Sequence, residues 1–343
     1  MCGPRGRRVP QRAKPFECHP PSRAGKGAGG WGVSVCHLDT AREDRGYARF
    51  PLFAHGARFS PPVGGSASMA AMAANDPFTA IAPFYDLDFE DYYDDVSFYQ
   101  SLAEYHGDTI LELGCGTGRV AVPLAQSGLK VTGVDINDAM LAVAKQRMGA
   151  RKGLTLKRGD MTDLDLKQRY ALVTVPLGGV QHLASVDAFV DAIAVMAKHL
   201  APGGVAVVDI EAPHRDDFDP TPQPIVEHWT KPWAGGGQVS KLVSVEARPA
   251  ESMKDITWHF DVASKTGALR RITTMFTFRT ITLPEVTLAG RLAGLRTVAA
   301  FGDYEFTPFD TGSERMIVLL QHTDEPLPPY STLSDDSRDA EEA

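Results

Sequence analysis

Residues 109–119, TILELGCGTGR, decide the fold. A short β-rich run enters a loop with glycine at positions 114, 116 and 118, and GRVAVPLAQSG continues from it with helical spacing. Glycines at a strand-to-helix turn permit positive φ and let a ligand approach the backbone. The helix that follows presents unpaired N–H groups suited to a carboxylate or phosphate. KVTGVD (130–135) reads as a second strand and NDAMLAVAKQRMGA as its helix, capped by Asn137 or Asp138. LTLKRGD gives a third strand, closing on Asp160, and YALVTVP (170–176) a fourth. A helix from Ser185 to Leu200 stops at APGG, and VAVVDI supplies a fifth strand. Strands alternating with helices in this way predict an α/β chain, a parallel sheet with helices on both faces.

The rhythm changes after Glu211. PIVEHWT, QVSKLVSVEAR, MKDITWHFDVA and LRRITTMFTFRTI follow one another without helices and predict an antiparallel β insert, either a lid or a dimer surface. Thr282-Leu-Pro-Glu285 has the form of a capping box for a last helix through Leu295, and LRTVAAFGD and ERMIVLLQ add two more strands.

Charge separates this body from its flanks. The whole chain carries −8, yet residues 1–68 hold eleven Lys or Arg against four Asp or Glu, with three of the four cysteines. That segment is rich in Gly, Pro and Arg and has no period of 2 or 3.6, so a disordered leader is expected over 1–74, dispensable to the fold, with Met69 or Met72 as alternative starts. Gly and Pro break the amphipathic helix of a transit peptide, and the adjacent pairs Cys18-His19 and Cys36-His37 lack the spacing of a zinc site. The acidic residues 323–343 read as a second disordered tail. Between them lie a core over 75–210, the insert over 211–282, and the last helix and hairpin over 283–322. No apolar run reaches the ~20 residues of a membrane span, and no basic stripe marks the body for nucleic acid. With few cysteines, a cytoplasmic location is expected.

Within the core, Asp135 closes the second strand, where an acid accepts both hydroxyls of a ribose. A dinucleotide fingerprint, G-x-G-x-x-G, shares these features, but Arg119 stands where helix packing needs its third glycine. ILELGCGTGR, VTGVDIN, GDM and LAPGG-VAVVDI together resemble the successive motifs of class I S-adenosylmethionine-dependent methyltransferases, of the small-molecule type that includes amino-sugar N-methyltransferases. The resemblance covers residues 84–210 and implies a Rossmann-like doubly wound sheet, mostly parallel, with an antiparallel final strand.

It also implies site residues. Gly114, Cys115, Gly116 and Gly118 would hold the methionine end of S-adenosyl-L-methionine, and Glu112 would reach its amino group. Asp135 would take the ribose, Ile136 and Met161 would flank the adenine, and Asp160 would read the adenine amino group. Pro176, after the fourth strand, would touch the cofactor, and Tyr85 would close over it. His182 follows Pro176 in chain order and would lie near the transferred methyl, so His182 and Tyr85 are the catalytic candidates. Glu211, His214 and His259 are weaker ones. The acidic aromatic run at 86–99 reads as a solvated helix face. The expected reaction is in-line methyl transfer to a nitrogen or oxygen of a small molecule, without metal. Two alternatives stay open: an O- or C-methyltransferase, and an inactive cofactor-binding or regulatory protein on the same fold. A homodimer through the insert would fit either.

Overall fold

The computed structural model describes residues 76–90, 92–233 and 236–331. The leader expected over 1–74 and the tail from 332 onward lie outside the described residues. Seven strands form one sheet: β1 (Thr109–Leu113), β2 (Lys130–Asp135), β3 (Leu154–Arg158), β4 (Tyr170–Val175), β5 (Leu200–Glu211), β10 (Leu295–Phe301) and β11 (Arg315–His322). Their order is β10-β11-β5-β4-β1-β2-β3. The first five strands run parallel, and β11 runs antiparallel to both its neighbours. The chain therefore winds one way from β1 to β3 and the other way from β4 onward. Ligands bind in open α/β sheets at such a switch point, outside the carboxyl ends of the strands.

Alternation along each strand divides the core in two. Leu111, Leu113, Val173, Val175 and Val208 pack on one face against α5 (Val186–His199) and α6 (Leu283–Leu292). Ile110, Leu172, Val207 and Leu319 pack on the other with Phe98, Tyr99 and Leu102 of α2 (Asp94–His106) and Leu124 of α3 (Ala121–Gln126). Each such fully buried side chain contributes about 1.5–3 kcal/mol. The helix starts follow the sequence. Asn137 Oδ1 accepts from Met140 N at 3.0 Å to open α4 (Asp138–Met148), Ser185 Oγ accepts from Ala188 N at 3.1 Å, and Glu285 Oε2 accepts from Thr282 N at 2.7 Å. Among the described residues no helix is long and apolar enough to cross a membrane.

Four boundaries differ from expectation. APGG belongs to β5, which begins at Leu200 and bulges against β4 between Leu172 and Tyr170. A Cβ at Gly204 would stand 2.9 Å from the Ala171 carbonyl oxygen, so glycine serves close strand approach there, not a helix end. β3 stops at Arg158, leaving Asp160 in the turn beyond it. The last helix stops at Leu292, because Gly294 at φ +76° turns the chain into β10. The expected tail stays docked through 331: Glu325 Oε1 accepts from Gly203 N at 2.8 Å, and Ser331 Oγ donates to the Val298 carbonyl at 2.7 Å.

The insert is a separate antiparallel sheet of β6 (Val226–Pro232), β7 (Gln238–Arg248), β8 (Met253–Ala263) and β9 (Leu269–Arg279), in that order. Its inner face meets the strap that opens the described chain, residues 76–89, which includes the single turn α1 (Ala82–Tyr85). Phe84 stacks on Phe260 with ring centroids 5.6 Å apart. Asp88 accepts from Trp229 Nε1 and Lys241 Nζ, both at 2.6 Å, and the Lys241 ammonium also sits 3.6 Å from the Trp258 ring centre. The outer face carries Arg271 on Asp261 and His259 on Thr273, beside exposed Leu269 and Met275.

The acidic aromatic run is therefore no solvated face. Asp86 accepts from Thr117 Oγ1 at 2.6 Å, Asp88 holds the insert, and Asp95 is fully buried. Asp95 pairs through both oxygens with Arg119, whose guanidinium lies 5.0 Å from the Phe89 ring centre and 5.5 Å from that of Tyr92. Arg119 does not obstruct helix packing, because its side chain turns away to buried Asp95 of α2. Gly118 makes the close approach instead: a Cβ there would meet Ala144 Cβ and Val122 Cγ2 at 3.1 Å. Arg119→Met leaves a buried carboxylate without its cation, which costs about 3–5 kcal/mol. Urea unfolding should show that loss, and Asp95→Asn with Arg119→Met together should recover part of it. A folded single variant within 1 kcal/mol of wild type would contradict the assignment.

Candidate functional site

The glycine loop leaves β1 with Gly114, Gly116 and Gly118 all at positive φ (+67°, +52° and +71°), which other residues adopt only with strain. Buried Cys115 donates its N–H to the Val134 carbonyl at 2.9 Å, tying the loop to β2. Asp135 completes the tie. Its Oδ2 accepts from Gly116 N at 2.7 Å and its Oδ1 from Asn137 N at 2.8 Å, so one carboxylate fixes the loops after β1 and β2 together. Burial raises the Asp135 pKa, opposed by these N–H donors. A Cβ at Gly116 would meet nothing within 4 Å, so open space borders the loop there. Met161 leans on the loop from the third strand's end, 3.1 Å from where a Gly114 Cβ would stand. Asp160 Oδ1 accepts from Thr162 N at 2.8 Å and Oγ1 at 2.7 Å, and Ile136 is half-buried beside Asp135.

Glu112 stands at the base of the loop, on the α2 side of the sheet, and is 2 % exposed. Its Oε2 has no hydrogen-bond partner within the protein. Burial pushes its carboxyl up to about 8, against the pull of the Arg119 cation. An enclosed acceptor without a donor is costly, and it suits a ligand that brings an amino group.

The second half of the site follows β4. Pro176 is buried at the strand end, Leu177 adopts a left-handed φ of +49°, and a 3-10 turn, Gly179–His182, follows. Gln181 anchors this turn: its Nε2 donates to the Arg279 carbonyl at 3.0 Å and its Oε1 accepts from Glu211 N at 2.8 Å. The His182 ring is caged edge-on by Phe78, Phe276 and Phe278, with centroids 5.0, 5.0 and 4.9 Å away. Its Nδ1 is enclosed without a partner, and burial pulls its pKa down to about 4. Tyr85 touches the same Phe78 ring at 6.2 Å and lies 5.4 Å from Phe89. Burial pushes its hydroxyl up to about 12, so it stays protonated at neutral pH.

Glu112, the three loop glycines, Cys115, Asp135, Ile136, Asp160, Met161 and Pro176 thus gather at the carboxyl ends of β1 to β4. Tyr85 and His182 join them through Phe78. The weaker candidates have structural partners: Glu211 pairs with Lys254 at 3.1 Å, His214 accepts from Asp216 N, and His259 Nδ1 bonds Thr273. Among the described residues no group of His, Cys, Asp and Glu is arranged to hold a metal. Sequence reasoning missed Gln181, Phe78, Phe276 and Phe278. The phenylalanines come from the strap and from β9, and only the packing of the insert against the strap brings them to His182.

The family model for a methyltransferase domain matches residues 110–204. A cypemycin N-terminal methyltransferase of a Streptomyces species is 26% identical over 234 residues, 66% of this chain and 88% of that protein. A dTDP-3-amino-3,6-dideoxy-alpha-D-glucopyranose N,N-dimethyltransferase of Streptomyces fradiae is 32% identical over 136 residues, but that match spans only 38% of this chain and 52% of that enzyme. Among solved structures, the CcbJ methyltransferase of Streptomyces caelestis shares 25% identity with a TM-score of 0.55, covering 72% of this chain and 96% of that one.

The raised Glu112 pKa has a thermodynamic consequence. A carboxyl that is harder to ionise folded than unfolded contributes stability below the unfolded value, near 4.5, and loses it as pH rises through about 8. Each unit in that window costs up to about 1.4 kcal/mol in the ligand-free protein. Melting temperature measured from pH 5 to pH 9 should fall more steeply for wild type than for Glu112→Gln. Parallel curves would contradict the buried, partnerless carboxyl.

Proposed function

We propose that this chain is a class I S-adenosylmethionine-dependent methyltransferase whose acceptor is the neutral amine nitrogen of a small molecule. The residues present fit the cofactor. Glu112 offers an enclosed acceptor to its amino group, the glycine loop leaves open space at Gly116, and Asp135 carries a carboxylate at the end of β2. When bound, S-adenosylmethionine supplies a methyl group made electrophilic by its sulfonium. The protein has to hold the acceptor in line with that methyl and keep water out.

His182 carries the choice of nitrogen. An imidazole whose conjugate acid has a pKa of about 4 is too weak a base to take the proton of an alcohol or phenol. It remains a good hydrogen-bond acceptor, and its Nδ1 is unclaimed by the protein. A neutral amine attacks through its lone pair and needs no proton removed first. One N–H bonded to His182 aims that lone pair, and after transfer the ammonium product releases its extra proton to solvent. Tyr85, protonated at neutral pH, serves as a donor and as cover over the cofactor. The insert, strapped down at Asp88 and closing on His182 with Phe276 and Phe278, is the lid of this site. The named activities of the cypemycin and amino-sugar enzymes support the same nucleophile.

The pH dependence of turnover tests this reading. With an amine acceptor, kcat/KM should rise with pH along the acceptor's own pKa in wild type and His182→Asn alike, with the variant lower by about tenfold, the loss of one orienting hydrogen bond. Below the acceptor's limb, a second fall near 4, as His182 protonates, should appear in wild type and be absent from His182→Asn. A limb near neutrality that vanishes in His182→Asn, with a loss of roughly 10²–10⁴-fold, would instead make His182 a general base and overturn the amine reading.

A further inference from the structure

Asp209, near the end of β5, lies outside every role assigned above. It is fully buried, yet its carboxylate collects five donors. Oδ2 accepts from Tyr99 OH at 3.0 Å, Tyr304 OH at 2.8 Å and Leu177 N at 3.2 Å. Oδ1 accepts from Arg315 Nε at 2.8 Å and from its Nη2. The Asp209 carbonyl also accepts from Gly178 N at 2.8 Å. One residue therefore binds both N–H groups at the bend where the chain leaves β4.

That bend is strained. Leu177 is one of four residues other than glycine at positive φ among the described residues, and a left-handed leucine costs about 1–2 kcal/mol. No local sequence preference pays that cost, since Asn, Asp or Gly would adopt the shape more readily. The strain persists only if surrounding structure over-determines it, and the donors to Asp209 come from four elements: α2, the loop before β11, β11 itself and the β4 bend. The Leu177 conformation sets the direction of the next five residues, Gly178 to His182. Gln181 pins the far end of the turn to Arg279 of β9 and to Glu211 N, so freedom at the near end moves Pro176 and His182 against the lid.

We propose that Asp209 is a positioning residue for methyl transfer: its carboxylate, aimed by Arg315, clamps the left-handed bend at Leu177 and so sets the loop from Pro176 to His182. It touches no substrate. This rests on the placing of that loop at the acceptor side, but not on His182 being the orienter. A His182→Asn protein with unchanged turnover would remove that role while leaving the loop, and the clamp, to be read separately.

The test is a cycle of Asp209→Asn, Leu177→Gly and the double variant of the full chain. Amide hydrogen exchange is read on the cofactor-free protein, and S-adenosylhomocysteine release is read with whichever amine of a screened panel turns over best. Asparagine keeps the shape but turns an amide N–H toward the donors. The clamp predicts exchange at Leu177 and Gly178 at least tenfold faster in Asp209→Asn, with the interiors of β4 and β5 unchanged. It predicts kcat lower by tenfold or more, with a smaller change in the KM for S-adenosylmethionine. Glycine adopts the left-handed bend without cost, so the double variant should regain a substantial part of kcat, at least threefold over Asp209→Asn, although its melting temperature stays low. Wild-type exchange or wild-type turnover in a folded Asp209→Asn overturns the proposal. So does a turnover loss that Leu177→Gly does not relieve, the pattern of a merely structural residue. Should Asp209→Asn not fold, Arg315→Lys, which keeps the carboxylate but loosens its aim, replaces it in the cycle with the same outcomes.

Discussion

The ion pair between Arg119 and Asp95 is the contact on which the site's architecture hangs. Two opposite charges are buried together, Asp95 fully and Arg119 almost so, and each is tolerable only because the other is held in two-point register. Arg119 stands at the start of the helix after the glycine loop, and Asp95 in the first turn of α2, so the pair welds the loop to the helix that covers it. Phe89 and Tyr92 stack on the same guanidinium and carry the end of the strap to it. From that point the strap reaches back to Thr117 of the loop through Asp86 and forward to the insert through Asp88. One buried cation thus brings the glycine loop, the strap and the insert into a single connected set.

Charge of the other sign is arranged along the same edge of the sheet. Glu112 of β1 and Asp209 of β5 face the α2 side from strands on either side of β4, and they are treated in opposite ways. Asp209 is saturated with donors and anchored by Arg315. Glu112 is left with an orphan oxygen. A folded protein accepts an unsatisfied buried acceptor where a ligand completes it, and it saturates a carboxylate where geometry must not change. The contrast sets an open carboxylate apart from a saturated one without reference to their positions in sequence.

The core was legible because its signals are local. The run TILEL, the glycines of its loop, the Asn137 and Ser185 caps and the Thr282–Glu285 box each fix a few neighbouring residues, and the strand and helix periods carry the rest. Even the insert followed from four uninterrupted strand-like runs. What stayed hidden was non-local. APGG has the composition of a helix end, and only the approach of Gly204 to β4 draws it into the strand. The acids at 86–99 look like a solvated face until Thr117, Trp229, Lys241 and Arg119 are brought to them from distant segments. His182 was singled out by its place after β4, but its chemistry is set by Phe78 and by two phenylalanines of β9, which no window around residue 182 contains. A lowered imidazole pKa is a property of that packing, and it supports the proposed orienting role over that of a base.

The central claim is that a neutral, caged imidazole serves a nitrogen nucleophile. It is tested most directly by following the methyl carbon itself. The full chain is incubated with S-adenosylmethionine carrying a ¹³C methyl group, against a panel of small amines, alcohols, phenols and carboxylates, and the labelled products are identified by carbon NMR. Label is expected on nitrogen, shown by coupling to ¹⁵N in enriched acceptors. Label delivered to oxygen or carbon, or none delivered to any amine by protein that binds the cofactor, would contradict it.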